Sequence, residues 1–241
     1  MSRLAPELRF HLHYTEIKMS NSEIKNITDY LFDFAKSNPD KPALLHPKRV
    51  TFSQLCKTID CYATGFLKNG ISKGTKTIVL IKPGTDLFAS TYALLRIGAI
   101  PVIIDPGMGV KPMSKALKNV GVEAFIGIPK AMLLKMVFRS CYKTVKIRIS
   151  TEKYIWFQRA SLTHFARLKN AVYMPCKVEP NETAAIFFTS GSTGPAKGVI
   201  YQSSMIDAQI QILKDHFKYN PNEIDLCTFP LIGLLIMCLG L

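Results

Sequence analysis

The chain has 241 residues, 48% of them hydrophobic, and its 31 Lys and Arg against 17 Asp and Glu give a formal net charge of +14. This length allows one or two domains with a substantial core, and the hydrophobic content excludes an intrinsically disordered chain. The basic charge complements polyanions such as ATP, CoA, nucleic acid or an anionic membrane surface, and charge alone does not choose among them.

The six cysteines are scattered, with no C-x-x-C pair and no histidine cluster near them, which argues against a zinc site. His11 and His13 lack a third ligand, so we interpret them as solvated side chains and predict no bound metal from these residues. The charged N-terminus has no apolar run of the signal-peptide kind. We therefore predict reduced thiols and a cytoplasmic location.

Residues 1–25 show no clear period, and we interpret them as an N-terminal extension that precedes a domain over residues 26–241. Apolar residues at helical spacing predict an amphipathic helix over residues 21–37, with Asn21 or Ser22 as its N-cap. Two short strands, 43–45 and 50–52, then predict a hairpin.

Ser53 is predicted to cap a second helix, with Gly70 just beyond its end. The runs 77–81, 100–104 and 124–128 are almost wholly apolar and predict buried strands, with helices over residues 86–97 and 111–120 between them. Apolar strands that alternate with helices indicate an α/β fold with a mostly parallel sheet that helices cover.

The segment 130–151 is basic and contains no acidic residue. It would suit a groove for CoA, nucleic acid or membrane phosphates, but no aromatic residues alternate with its charges. We favour the solvated face of a helix over residues 131–138, followed by an edge strand. Trp156 and Phe157 are interpreted as packing residues.

The most specific stretch follows a strand-like apolar run at residues 184–188 and reads TSGSTGPAKG over residues 189–198. In open α/β sheets, ligands bind at the carboxyl ends of strands. Glycines let backbone N–H groups approach an anion, and the hydroxyls and the Lys197 ammonium add donors and charge. The pattern therefore favours a phosphate-binding loop over a flexible surface loop of the same composition.

A Walker A loop is excluded by two substitutions in this stretch. Counted from Gly191, Ala196 stands where the second glycine is required, and Gly198 stands where a hydroxyl would bind Mg²⁺. Residues 199–201 also look extended rather than helical. A helix from Ser203 or Ser204 to Phe217, a strand over residues 226–229 and a buried helix within residues 229–241 are predicted to follow.

The stretch resembles, nearly residue for residue, the loop T-[SG]-[GS]-[ST]-T-G-x-P-K-G of the AMP-forming adenylating enzymes, a superfamily that includes the acyl-CoA synthetases. Here Pro195-Ala196 replaces the usual order x-Pro. The resemblance implies an ATP-dependent ligase that converts a carboxylate to an acyl-adenylate with release of pyrophosphate, followed by transfer to the thiol of CoA or of a carrier protein. It implies that Thr189, Ser190, Gly191, Ser192, Thr193 and Gly194 wrap the β- and γ-phosphates, that Lys197 adds positive charge, and that Gly198 belongs to the same cofactor-binding set.

ATP is the implied cofactor, with Mg²⁺ in the complete enzyme, and no proton-transfer residue is assigned in this chain. The sequence contains neither the Y-G-x-T-E nor the T-G-D motif of the family, nor its C-terminal lysine domain. We therefore expect an incomplete N-terminal large domain that cannot complete the reaction alone.

At two places the sequence departs from the family's usual residues, which leaves the identity of the substrate open. We expect a fatty or other hydrophobic acid. Gln202-Ser203 replaces the usual Thr-His, and Gly233 replaces a common histidine. The alternative function is a basic non-enzymatic protein that binds nucleic acid or an anionic membrane surface with steep salt dependence.

Overall fold

The structure is a computed structural model, and it describes residues 24–104, 113, 117, 120–130, 144–152, 160–169, 171, 173–189, 197–218, 223–227 and 230–240. The helices of the described residues are Ile27–Ser37 (α1), Phe52–Lys68 (α2), Thr85–Arg96 (α3), Leu162–Phe165 (α4), Ser203–Phe217 (α5) and Pro230–Met237 (α6). The strands are Pro42–Leu44 (β1), Val50–Thr51 (β2), Lys76–Leu80 (β3), Ile100–Ile104 (β4), Ala124–Gly127 (β5), Ile147–Ser150 (β6), Thr183–Thr189 (β7) and Lys197–Gln202 (β8).

The main sheet has six strands in the order β6-β5-β3-β4-β7-β8. Strand β3 pairs in parallel with β4 and β5, β4 with β7, and β5 with β6, whereas β7 and β8 are antiparallel. This confirms the predicted mostly parallel α/β sheet, with β6 as the predicted edge strand. The short pair β1–β2 is antiparallel, as the hairpin prediction required.

Consecutive side chains of each strand point to opposite faces of the sheet, and each face packs in its own core cluster. Ala185 and Phe187 of β7 pack in one core cluster with α1, α2 and α3. Ile186 and Phe188 join a second cluster that also contains Met113 and Leu117. Apolar side chains on both faces are what makes the strands read as continuous hydrophobic runs.

Helix starts differ from the predictions. The N-cap of α1 is Asn26 rather than Asn21 or Ser22: its Oδ1 accepts the Thr28 amide at 3.0 Å, and its Nδ2 donates to the Leu95 carbonyl at 3.0 Å. The cap of α2 is Thr51 rather than Ser53, because Thr51 and Gln54 form a reciprocal capping box. Helix α5 begins at Ser203 with Gln202 as its N-cap residue.

The C-terminal part also holds one correction. Leu226 and Cys227 lie in no strand, which contradicts that part of the predicted strand 226–229, and Leu226 is 84% exposed. The predicted buried helix near the end is confirmed by α6, where Leu234 to Met237 are buried. The predicted helix 131–138, most of the helix 111–120, and Trp156 and Phe157 lie outside the described residues.

Within the part of the chain that the structure describes, no helix is both long and apolar enough to cross a bilayer.

Candidate phosphate-binding site

The predicted phosphate loop connects β7 to the antiparallel strand β8. Strand β7 lies between β4 and β8, and Phe188 is in register with Ile104, the last residue of β4. The connection therefore leaves the sheet at the carboxyl end of its parallel strands, where ligands bind in open α/β sheets. This is the position that the sequence predicted for it.

The two ends of the connection are held opposite each other, because Thr189 and Lys197 are register partners. Ser190, Gly191, Ser192, Thr193 and Gly194 lie outside the described residues. Lys197 is exposed. Of the predicted site residues, the structure thus places Thr189, Lys197 and Gly198 together at the end of the sheet where the parallel strands terminate.

Gly198 packs directly against an aromatic ring of the neighbouring strand. A Cβ at this position would lie 3.0 Å from Cζ and 3.1 Å from Cε1 of Phe188, its register partner. Phe188 is itself only 9% exposed and belongs to the second core cluster, so its ring has little room to withdraw. A Cβ at position 198 would therefore require the Phe188 ring to shift by a few tenths of an ångström.

We expect Gly198→Ala to lower the free energy of unfolding by about 1 kcal/mol, the low end of the usual cost of overpacking, because Gly198 is itself exposed and only the Phe188 ring is in the way. Urea unfolding followed by circular dichroism measures the effect. In a double-mutant cycle with Phe188→Leu, a large part of this cost should disappear, because the smaller side chain leaves room for the new methyl group. Purely additive free energies would contradict the contact as its cause.

A second basic residue lies at the same edge and was not singled out from the sequence. Lys82 is exposed, it follows the end of β3, and only β4 separates β3 from β7. Its signal was its position directly after an apolar strand, which is informative only once the strand order is known.

Nearby, Asp86 in the first turn of α3 accepts a 2.7 Å hydrogen bond from Tyr62, and burial, together with Asp86, raises the pKa of Tyr62.

The polar groups of the predicted loop suit an anion rather than a cation. Residues 189–198 offer hydroxyl groups, glycine amides and a lysine, with no carboxylate. Among the described residues, no group of three or more His, Cys, Asp or Glu side chains is placed to hold a metal ion. The chain's own groups thus fit the phosphates of ATP, and the predicted Mg²⁺ stays a prediction for the nucleotide-bound state.

A mostly parallel α/β sheet with a glycine- and hydroxyl-rich connection after one of its strands defines the class of open α/β domains that bind ligands at the carboxyl ends of their strands. Residues 31–238 match the family model for AMP-binding enzyme, and the chain therefore belongs to the AMP-binding enzyme family. This confirms the family predicted from the loop.

Two curated relatives are olefin beta-lactone synthetases. The protein of Stenotrophomonas maltophilia is 32% identical over 233 residues, which cover 90% of this chain and 42% of the relative. That of Xanthomonas campestris pv. campestris is 31% identical over 232 residues, which cover 90% and 41%. The chain thus spans about two fifths of the length of these relatives.

Two solved structures that share the fold illustrate the likeness. The long-chain-fatty-acid-CoA ligase from Archaeoglobus fulgidus gives a TM-score of 0.74 at 19% identity, over 90% of this chain and 46% of that chain. ATP-bound MatB from Rhodopseudomonas palustris gives 0.73 at 15% identity, over 89% and 42%. At these identities the likeness concerns the fold.

Proposed function

We propose that this chain supplies the triphosphate-binding part of an enzyme that activates a carboxylic acid with ATP. The observation that carries the proposal is that Thr189 and Lys197, at the two ends of the predicted loop, lie at the carboxyl end of the parallel strands, in a chain of the AMP-binding enzyme family. The curated relatives are more than twice as long as the matched part, so the activity of the whole enzyme is part of the proposal.

The residues of the connection have binding and electrostatic roles in this proposal. The hydroxyls of Thr189, Ser190, Ser192 and Thr193 and the amides of Gly191 and Gly194 donate to the β- and γ-phosphate oxygens, and the Lys197 ammonium neutralises their charge. ATP supplies the adenylyl group that turns a carboxylate oxygen into a leaving group. Donors that hold the departing pyrophosphate stabilise the charge that develops on it.

The acid that we propose is a fatty or other hydrophobic one, with the thiol of CoA or of a carrier protein as acceptor and the cytoplasm as location. A long-chain-fatty-acid-CoA ligase among the proteins of the same fold supports the class of acid.

Gly233, which replaces a common histidine of the family, cannot be replaced without rearrangement. A Cβ at this position would lie 2.4 Å from Cys227 Sγ and 3.4 Å from Cε1 of Phe88.

Nucleotide titration calorimetry on the 241-residue chain tests the proposal. We expect ATP to bind at least about tenfold more tightly than AMP, since charge-assisted hydrogen bonds to the β- and γ-phosphates exist only with ATP. Adenosine should bind more weakly still. Equal affinities for ATP and AMP would contradict a site built for the β- and γ-phosphates.

The same titration separates the proposal from a basic non-enzymatic protein. That alternative predicts binding of single- or double-stranded oligonucleotides, or of anionic vesicles, with a steep loss of affinity as salt rises and no preference for ATP over these polyanions. The family match favours the nucleotide enzyme.

Carboxylate-dependent exchange of pyrophosphate into ATP tests whether the 241-residue chain performs the activation step by itself. The sequence leads us to expect no exchange by the 241-residue chain alone, because the adenine, ribose and lysine motifs of the family are not in it. Robust exchange with a fatty acid would show that expectation to be wrong and would still support the proposed activity.

A further inference from the structure

The turn between β1 and β2 carries an exposed leucine next to basic side chains. Within residues 24–104, all of which the structure describes, Leu45 is the one exposed large hydrophobic side chain, at 48%. It begins the five-residue turn, and the four residues that follow it, His46, Pro47, Lys48 and Arg49, are exposed as well. The packing of the core does not account for a leucine that is held in water beside cations.

This turn and the connection after β3 form one continuous surface. The turn is short, and the strands at its two ends are paired, so its five residues lie within one tight loop. A Cβ on Gly84 would lie 3.6 Å from Cδ of Pro47, which places the turn against the connection between β3 and α3. Lys82 and Pro83 of that connection are exposed. We define the hairpin surface as residues 45–49 together with Lys82 and Pro83.

The positive charges of the hairpin surface are not neutralised by the described part of the protein. None of the ion pairs among the described residues includes Lys48, Arg49 or Lys82. Neither the turn nor the connection after β3 contains an acidic residue before Asp86, whose carboxylate accepts a 2.7 Å hydrogen bond from a tyrosine hydroxyl. The surface therefore presents three cations and an apolar side chain, and none of its own residues is a carboxylate.

This combination of groups matches the interface of an anionic lipid bilayer. Basic side chains are attracted to the anionic head groups, and a neighbouring apolar side chain leaves water for the boundary of the acyl chains. A nucleic acid offers phosphates but no apolar region for Leu45. The turn also has no Phe, Tyr or Trp on which a base could stack. The exposed leucine thus favours a bilayer over a nucleic acid.

We propose that the hairpin surface docks on an anionic lipid bilayer, with Lys48, Arg49 and Lys82 at the head groups and Leu45 inserted beneath them. The phosphate loop leaves the same end of the parallel strands, so docking turns that end of the sheet toward the membrane. A hydrophobic acid dissolved in the bilayer is then close to the site. This consequence rests on the proposed function, whereas the docking itself does not.

Co-sedimentation of the 241-residue chain with phosphatidylcholine vesicles, with and without phosphatidylserine, tests the proposal at a fixed moderate salt concentration. We expect binding that requires phosphatidylserine. Lys48→Gln and Arg49→Gln should each weaken it about fivefold, the usual effect of one basic side chain near an anionic membrane. Leu45→Gln should weaken it about three- to tenfold, because only the exposed half of the side chain leaves water on docking.

Two matched variants control for the loss of charge and of apolar surface. Lys68→Gln removes an exposed lysine at the opposite end of the sheet, where β3 begins. Met174→Gln removes a methionine that is 79% exposed in the segment before β7. Both should bind vesicles as the wild type does, and circular dichroism should show every variant folded, since all the replaced side chains are exposed.

Three outcomes would overturn the proposal. The first is no binding of the wild type to vesicles that contain phosphatidylserine. The second is an equal loss in Lys48→Gln and Lys68→Gln, because binding would then follow net charge alone. The third is a loss in Lys48→Gln without one in Leu45→Gln, which would assign the surface to a soluble polyanion or a nucleic acid. ATP and a fatty acid are absent throughout, so the result is independent of the proposed function.

Discussion

Replacing Arg96 with alanine is expected to lower the free energy of unfolding by about 3–5 kcal/mol, because it leaves the buried carboxylate of Asp60 without its partner. Arg96 Nε donates to Asp60 Oδ1 at 2.8 Å, and the two side chains are only 6% and 12% exposed. The same guanidinium donates to the Tyr173 carbonyl and lies 3.6 Å above the ring of Phe32. This one side chain therefore links α1, α2, α3 and the segment before β7.

The pH dependence of this variant has a definite sign. Burial raises the pKa of Asp60, and Arg96 acts in the opposite direction, so loss of Arg96 raises that pKa further. A carboxyl group whose pKa is raised by folding costs least stability below its ordinary pKa and most above its folded pKa. The deficit of Arg96→Ala should therefore shrink as the pH falls from about 7 toward the ordinary range of aspartate, near 4.

Urea unfolding of the wild type and the variant at several pH values measures both effects. Lys36→Ala is the matched control, since it removes a 2.8 Å ion pair with Asp33 whose side chains are 75% and 53% exposed. It should leave stability almost unchanged. A deficit of Arg96→Ala that is equally small, or that grows as the pH falls, would contradict the role of the buried pair.

Replacing Lys197 with alanine is expected to weaken ATP binding about 10- to 100-fold, the equivalent of one charge-assisted hydrogen bond. Lys197 is exposed, so its loss should not disturb the fold. Titration calorimetry with ATP and AMP measures the effect, which should be larger for ATP because the ammonium is proposed to contact the β- and γ-phosphates. Lys197→Arg should retain most of the affinity.

Lys68→Ala controls for the loss of one positive charge. Lys68 is exposed and ends α2, which leads into the start of β3, at the edge of the sheet opposite the phosphate loop. It should leave ATP affinity unchanged at moderate salt, because exposed charges more than a Debye length apart are largely screened. Equal losses in Lys68→Ala and Lys197→Ala would mean that ATP responds only to net charge.

The strands could be predicted from the sequence because burial on both faces leaves a continuous apolar run. Strand β4 begins and ends where the run 100–104 does, and the neighbouring strands shift by one residue at most at either end. The helix starts could not be predicted as well. Asn26 caps α1 because its amide also reaches Leu95, 69 residues away, and local sequence carries no signal for such a contact.

The candidate site shows the same division. The spacing of glycine, hydroxyl and lysine in residues 189–198 predicted a phosphate-binding loop, because such spacing is a local property of the sequence, and its phosphate chemistry stays a prediction. The packing of Gly198 on Phe188, the closeness of β3 and its Lys82, and the edge position of β8 depend on strand order and register. Sequence spacing does not contain that information.

The most direct test of the proposed phosphate site is amide hydrogen exchange of the 241-residue chain with and without ATP, followed by mass spectrometry of its peptides. ATP that is held by the connection between β7 and β8 should slow exchange in residues 189–198, and the protection should be lost with adenosine and reduced in Lys197→Ala. Unchanged exchange in these residues under saturating ATP, or protection confined to the basic segment 130–151, would contradict it.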